Sequence, residues 1–193
     1  MLQFNFRHFE FLTMHTGQWE KILSLVNSND DIGVFLRVHL LIEQSLEAWC
    51  ICASENNNFF NGFGENLNID FATKAQLSQN FGLSEPVFKF VKRVNRLRNI
   101  RAHQIEKFNI TDAEIDALTS LMEVDYPSDI VPMEKFSLSV FGDRDVGFKN
   151  KETSNRDRLI MLFGMFLIRI NGEARVCAQN CGYKLSYQGH SQS

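Results

Sequence analysis

The stretch VNRLRNIRAHQ, from Val94 to Gln104, concentrates basic side chains near the end of a predicted helix. Arg98 and His103 have the side chains for chemistry, because a guanidinium binds phosphate through parallel hydrogen bonds and an imidazole titrates near neutral pH. A helix end that is merely solvated carries the same residue types. The stretch therefore predicts either a phosphate-handling site or an exposed basic helix terminus.

The angular position of Arg98 bears on this choice. At about 100° per residue, the apolar residues upstream of Arg98 share one face of the helix. They are Val87, Phe90, Val91, Val94 and Leu97. Arg98 continues this face, so we expect it to be buried, and a buried arginine needs a partner. Glu43 and Glu47 on an earlier helix are the expected partners, and a purely structural ion pair of this kind explains Arg98 equally well.

His103 follows Arg98 by five positions, which is roughly 140° around a straight helix. The two side chains therefore do not share a face unless the helix kinks or a second chain takes part. Asn99 and His103 are four positions apart and do share a face. Arg93 and Arg96 project away from the apolar stripe and are expected at the surface.

Helices would position these residues, and the composition of the chain favours a helical fold. The chain has eighteen Phe and only three Pro among its 193 residues, which favours long helices packed on bulky side chains. The predicted helices span Phe6 to Val26, Ile32 to Ala53, Phe71 to Phe81, Glu85 to Glu106, Ile110 to Val124 and Asn155 to Gln179. The fold class is therefore all-α, a bundle of five or six helices. An irregular insertion precedes the last helix, in which KFSLSVF is a candidate short strand.

The helix from Ile32 to Ala53 is apolar on more than one side. Its main apolar face comprises Val34, Val38, Leu41, Ser45, Trp49 and Cys52. Leu36 and Leu40 lie away from this face, so the helix is either central in the bundle or shared with a partner chain. His39, Glu43 and Glu47 form a narrow ionisable strip, which we interpret as a polar seam in preference to a pair of metal ligands.

Charge and composition exclude several classes of protein. The net charge of −3 and the pI near 6.0 argue against a protein that coats nucleic acid non-specifically. The start of the chain does not resemble a signal peptide, and its longest apolar run, LIMLFGMFLI, is about half of a membrane span. We therefore expect a cytoplasmic protein with reduced thiols. The cysteine spacing predicts no metal site, and no motif indicates a cofactor.

The hexapeptide RNIRAH, Arg98 to His103, resembles the Arg-x4-His signature of the HEPN superfamily. The longer run FATKAQLSQNFGLSEPVFKFVKRVNRLRNIRAH is similar to a segment of bacterial HEPN-like proteins, including those of the mannitol-repressor type. An apolar upstream helix that bears an acidic residue such as Glu43 also fits this resemblance. It covers residues 31–121 approximately.

We expect a single helical domain over residues 1–182, in which the resemblance assigns a HEPN-like core at about 31–121, and the polar composition of residues 183–193 predicts a flexible tail. The resemblance further implies a homodimer in which the motif helices pack near a two-fold axis, so that Arg and His sets from two chains converge in one cleft. Many members of the superfamily are metal-independent ribonucleases of toxin–antitoxin or phage-defence systems. The implied partners are RNA, a second copy of the chain and an antitoxin or regulatory protein, with no membrane and no cofactor.

The resemblance also implies roles for individual residues. RNA supplies its own nucleophile, the 2′-OH, so His103 would serve as general base or acid and Arg98 would hold the scissile phosphate. Asn99 would orient the histidine or bind the phosphate. Arg101 and Arg96 would contact flanking phosphates of the RNA.

One position departs from the pattern. In the toxins of the superfamily that are paired with antitoxins, a tyrosine often follows the histidine by two residues, and here that residue is Ile105. A second interpretation also stays open, in which the chain is a non-catalytic HEPN-like regulatory or protein-interaction module and Arg98 belongs to a structural ion pair.

Overall fold

Helices make up most of the protein, as the composition predicts. The computed structural model describes residues 4–14, 16–61, 69–101, 109–125, 132, 135–140 and 144–180. The helices of these residues are α1 (Phe6–Met14), α2 (Thr16–Val26), α3 (Asp31–Ser54), α4 (Phe71–Asn80), α5 (Glu85–Arg101), α6 (Asp112–Glu123) and α7 (Asn155–Asn180). Two short strands, β1 (Ser137–Val140) and β2 (Arg144–Gly147), separate α6 from α7.

The predicted number of five or six helices is too low, since the described residues contain seven. The region predicted as one helix, Phe6 to Val26, forms α1 and α2. Helix α2 begins with Thr16 and Gly17, whose low helix propensities weaken a continuous helix. The candidate strand KFSLSVF is confirmed, because β1 pairs with β2 in antiparallel register, with Ser137 opposite Gly147.

Two long helices, α3 and α7, form the centre of the bundle. Helix α3 packs against α1, α4, α5 and α7, and α7 also packs against α1, α2 and α6. Every residue of the predicted main face of α3 is buried. Leu36 and Leu40, which lie off this face, are 43% and 55% exposed. The second apolar side of α3 is therefore left uncovered by the residues that the structure describes.

Aromatic side chains fill the two ends of this core. Trp49 of α3 is fully buried, with its ring centroid 4.8 Å from that of Phe4 and 5.8 Å from that of Phe9. On the other side, Phe90 of α5 stacks on Phe166 of α7 at 5.8 Å. The Phe-rich start of the chain is thus largely core, as expected for such bulky side chains.

Local signals define several helix ends. The Asp70 carboxylate accepts a hydrogen bond from the Thr73 amide at 2.7 Å and caps α4. Thr111 and Glu114 form a capping box at the start of α6. Gly82, between α4 and α5, has a φ of 94°, which only glycine adopts without strain.

A buried arginine joins α6 to α7. Arg169 of α7 is 3% exposed, and its guanidinium donates to the carbonyls of Met122 at 2.6 Å and Val124 at 2.8 Å. Its Nε also contacts a Glu173 oxygen at 3.2 Å. The cation therefore binds the carbonyl end of α6, where the helix dipole favours positive charge.

Within the described ranges, no helix combines the length and the hydropathy needed to cross a lipid bilayer. The predicted flexible tail, residues 183–193, lies outside the described residues, and so does His103.

Candidate functional site

Arg98 lies in the last turn of α5, and its position corrects the prediction that it is buried. The Arg98 side chain is exposed, and its guanidinium donates to Asn99 Oδ1 at 3.3 Å. Leu97, one residue earlier, is 4% exposed, so the buried stripe of α5 ends immediately before Arg98. An exposed guanidinium at a helix end is accessible to an anion from solvent.

The expected partners of Arg98 are engaged elsewhere, so the predicted Arg98–glutamate ion pair is wrong. Lys74 of α4 is 7% exposed, and its Nζ lies 2.7 Å from Glu43 Oε1 and 2.6 Å from Glu47 Oε1. Burial by itself lowers the pKa of Lys74, but hydrogen bonds and charge from both carboxylates outweigh it and raise the pKa. The ionisable strip of α3 is therefore a seam of charges that binds α4 to α3.

Arg101, a predicted phosphate contact, is already paired. Its guanidinium binds the Glu114 carboxylate of α6 and the Asn109 carbonyl, and only 11% of the side chain is exposed. Burial by itself raises the pKa of Glu114, but the Thr111 backbone N–H and the Arg101 guanidinium outweigh it and lower the pKa. A phosphate at Arg101 would have to compete with these contacts.

An open groove of about 440 Å³ lies along the solvent side of α5, next to the first turn of α4. The residues that line it are Phe71, Ala72, Lys92, Asn95, Arg96, Asn99 and Ile100. None of these seven lining residues is acidic, although the chain as a whole carries a net charge of −3. Two cations and two amides therefore give the groove the chemistry of an anion site.

Some of the predicted site residues line this groove and others do not. Arg96 and Asn99 line it, and Arg98 contacts it through Asn99. Arg101 faces α6 on another side of the helix. Residues 102–108, which include His103, lie outside the described residues, so the predicted role of His103 stays a prediction.

His39 of α3 is the polar residue beneath the groove. It is 6% exposed, its Nε2 lies 3.1 Å from Asn95 Oδ1, and its ring stacks on Phe71 with centroids 4.3 Å apart. Burial lowers the pKa of His39, an effect that the Asn95 hydrogen bond and the Glu43 charge oppose and the Arg98 charge reinforces. Two groove residues, Asn95 and Phe71, are thus fixed by one buried imidazole.

Lys92 and Asn95 are groove residues that were not predicted as site residues from the sequence. The signal was present, because Lys92, Asn95, Arg96 and Asn99 are spaced i, i+3, i+4 and i+7. These positions form one polar stripe on the face opposite the apolar residues. Counting amides together with cations would have found it.

In the described part of the chain, the buried Cys50 thiol is unsuited to nucleophilic chemistry, and no cluster of side chains is arranged to bind a metal ion. Burial raises the pKa of the Cys50 thiol to about 11, which makes it a poor nucleophile at neutral pH. No group of three or more His, Cys, Asp or Glu side chains in the described residues is arranged to hold a metal ion.

Compared with known proteins, the chain matches no protein-family model, no curated protein sequence and no solved structure. The HEPN resemblance therefore depends on the motif residues alone, and membership of that superfamily stays a prediction.

Proposed function

We propose that the protein is a metal-independent endoribonuclease of the HEPN type. The observation that carries the proposal is the exposed Arg98 beside a groove whose described lining residues include no carboxylate. Phosphate contacts of this kind hold a nucleic-acid backbone without reading its sequence. Arg98 is available to bind the scissile phosphate, and Lys92 and Arg96 are available for its neighbours.

In the proposed reaction, the 2′-oxygen of the RNA attacks the adjacent phosphorus and the bond to the 5′-oxygen breaks. The products are a 2′,3′-cyclic phosphate and a 5′-hydroxyl. His103 takes the 2′-OH proton, a water molecule supplies the proton that the leaving 5′-oxygen takes up, and Arg98 stabilises the negative charge that develops on the phosphoryl oxygens. DNA lacks the 2′-OH and is not a substrate.

The proposal includes a homodimer. Leu36 and Leu40 of α3 are exposed leucines that flank His39 in sequence, and the Arg98 charge acts on the His39 imidazole. Exposed leucines on α3, which packs against the motif helix α5, suit contact with a second copy of the chain. Two chains packed there would bring two Arg98 side chains near one another.

As a biological role we propose a toxin or phage-defence effector that acts on RNA in the cytoplasm, controlled by an antitoxin or another regulatory protein. Uncontrolled cleavage of cellular RNA halts growth, so a ribonuclease of this type requires a means of control.

The test compares purified wild-type protein with Arg98→Ala and His103→Ala on total cellular RNA in excess EDTA. Lys89→Ala is the matched control, since Lys89 is an exposed cation of the same helix outside the groove. Each site variant is expected to cleave at least about 100-fold more slowly than the wild type. The control should cleave normally, and the products should carry cyclic phosphate ends.

Cleavage that survives in both site variants, or folded wild-type protein that leaves every RNA intact, overturns the proposal. The second outcome favours the non-catalytic interaction module, for which the exposed Leu36 and Leu40 are the supporting observation.

A further inference from the structure

Both asparagines of the groove have their amide oxygens occupied. Asn95 Oδ1 lies 3.1 Å from His39 Nε2, and Asn99 Oδ1 accepts a hydrogen bond from the Arg98 guanidinium at 3.3 Å. A carboxamide has one acceptor oxygen and an NH2 group with two donors. Because each amide oxygen already has a hydrogen-bond partner, the NH2 group of each asparagine is the group that can donate to a ligand in the groove.

The polar part of the groove lining therefore consists of hydrogen-bond donors, and the rest of the lining is apolar. Its polar groups are the Lys92 ammonium, the Arg96 guanidinium and the two asparagine NH2 groups. Phosphate oxygens are acceptors only, so such a lining suits a phosphodiester and disfavours a group that must itself donate.

The donor character of Asn95 depends on His39. The imidazole donates to Asn95 Oδ1 only if Nε2 carries a proton, whereas an unprotonated Nε2 would accept from the amide and turn its oxygen toward the groove. Burial lowers the pKa of His39, so the ring is neutral at pH 7 and carries a single N–H. The tautomer of one buried ring thus decides which end of the Asn95 amide faces a ligand.

Packing holds this ring in one orientation. His39 is 6% exposed, and its plane is tilted by 26° from the plane of Phe71, which itself is 7% exposed. Both rings are enclosed by α3 and α4, so the imidazole cannot turn away from Asn95 without disturbing the core.

We propose that His39 is a positioning residue, which donates from Nε2 to Asn95 and thereby directs the Asn95 NH2 group at a phosphodiester oxygen of single-stranded nucleic acid in the groove. This inference rests on the proposed function, since it assigns the backbone contacts of that same site. His39 does not touch the nucleic acid itself.

The first test is spectroscopic and needs no activity. Imidazole ¹⁵N NMR of the folded wild type at pH 7.5, with His39→Gln used to assign the signal, reports which ring nitrogen bears the proton. The expected result is a His39 ring protonated at Nε2. A ring protonated at Nδ1 overturns the inference, because Asn95 would then present its oxygen to the groove.

The second test measures the affinity for a fluorescent single-stranded DNA oligonucleotide, which carries the same phosphates as RNA but is not cleaved. Asn95→Asp can still accept from His39 and keeps the shape of the side chain, but it replaces donors by a charge. It should weaken binding about tenfold or more. His39→Leu should weaken binding by a smaller factor, and His39→Gln, whose amide can donate to Asn95, should recover part of the loss.

Lys89→Gln is the control for the general charge of α5 and should bind normally. Circular dichroism and urea unfolding of each variant establish that it is folded, and an unfolded His39→Leu leaves Asn95→Asp and the NMR result to decide. Folded Asn95→Asp that binds like the wild type overturns the inference, and so does wild-type protein that does not bind the oligonucleotide.

The two proposals fail separately. Wild-type protein that binds the oligonucleotide but leaves RNA intact removes the ribonuclease and keeps the role of His39. RNA cleavage with unchanged affinity in Asn95→Asp does the reverse.

Discussion

The contrast between Arg98 and Arg169 shows what a helical projection can establish about one residue. The projection places Arg98 at the angle of the buried stripe, yet the side chain is exposed, whereas Leu97, one residue earlier, is buried. An angle around the axis carries no information about where the neighbouring helices end. Among the described residues, Arg169 is the buried arginine, and its position directly after the apolar run of α7 was a signal of the same kind.

His39 provides a pH prediction at the residue scale. Its pKa in the folded protein lies below the value of 6.5 that an exposed histidine has, so as the pH falls through 6.5 the unfolded chain takes up a proton that the folded protein does not. Stability is therefore lost on acidification. Between pH 7.5 and 5.5 the free energy of unfolding of the wild type, measured in urea, should fall more than that of His39→Gln.

The charges of Glu43 on α3 and Arg98 on α5 also influence the pKa of His39. Both residues are present in the wild type and in His39→Gln. An equal loss of stability in the two proteins would show that His39 is not protonated on unfolding in this range.

At the scale of the element, the ends of helices follow local chemistry. Thr111 caps α6, and Glu114 completes the capping box. A cap needs only residues three positions apart, so no tertiary contact has to be known to predict it. Glu114 also binds Arg101, and this second role was not predictable, because it depends on how α5 and α6 approach each other.

Thr111→Ala should lower the free energy of unfolding by about 1 kcal/mol, since the Glu114 amide loses its side-chain acceptor. Ser120→Ala is the matched control, because Ser120 is an exposed hydroxyl residue within the same helix. That change should be neutral or slightly stabilising, because alanine has the higher helix propensity. Urea denaturation of both variants measures the difference. Equal effects of the two substitutions would contradict the importance of the cap.

At the scale of the whole molecule, one side of α3 stays uncovered by the described part of the chain, and packing within that part does not explain its exposed leucines. The sequence left two interpretations of this helix, central in the bundle or shared with a partner chain. The structure confirms the central position, and Leu36 and Leu40 still remain exposed. The homodimer stays a proposal that these leucines support.

Leu36→Glu combined with Leu40→Glu should convert the proposed dimer into a folded monomer, because four buried carboxylates would oppose association. Sedimentation velocity at micromolar protein concentration measures the assembly state, and the same samples report RNA cleavage, which should fall together with dimerisation. Leu23→Glu on α2 is the matched control, since Leu23 is 42% exposed and Leu36 is 43% exposed. A wild-type monomer, or a variant that remains a dimer, would contradict this assignment.

The sequence by itself determined the helical class, most helix boundaries, the buried face of α3 and the cap of α6. Each of these depends on periodicity or on residues within one turn of each other. Only the tertiary structure decided that Lys74 takes both glutamates, that Arg101 pairs with Glu114, and that His39 holds Asn95. These contacts join residues on different helices, and the choice among several possible partners is made by packing.

The stretch from Val94 to Gln104 shows how helix packing separates residues that are close in sequence. Arg98, Arg96 and Asn99 lie at a donor-lined groove, and Arg101 belongs to the frame that holds α6 in place. The four polar residues of this short stretch therefore have two different environments, the groove for three of them and the contact with α6 for Arg101. The helix that carries these residues can be predicted from the sequence. The contacts of each side chain cannot, because they depend on how the other helices pack against α5.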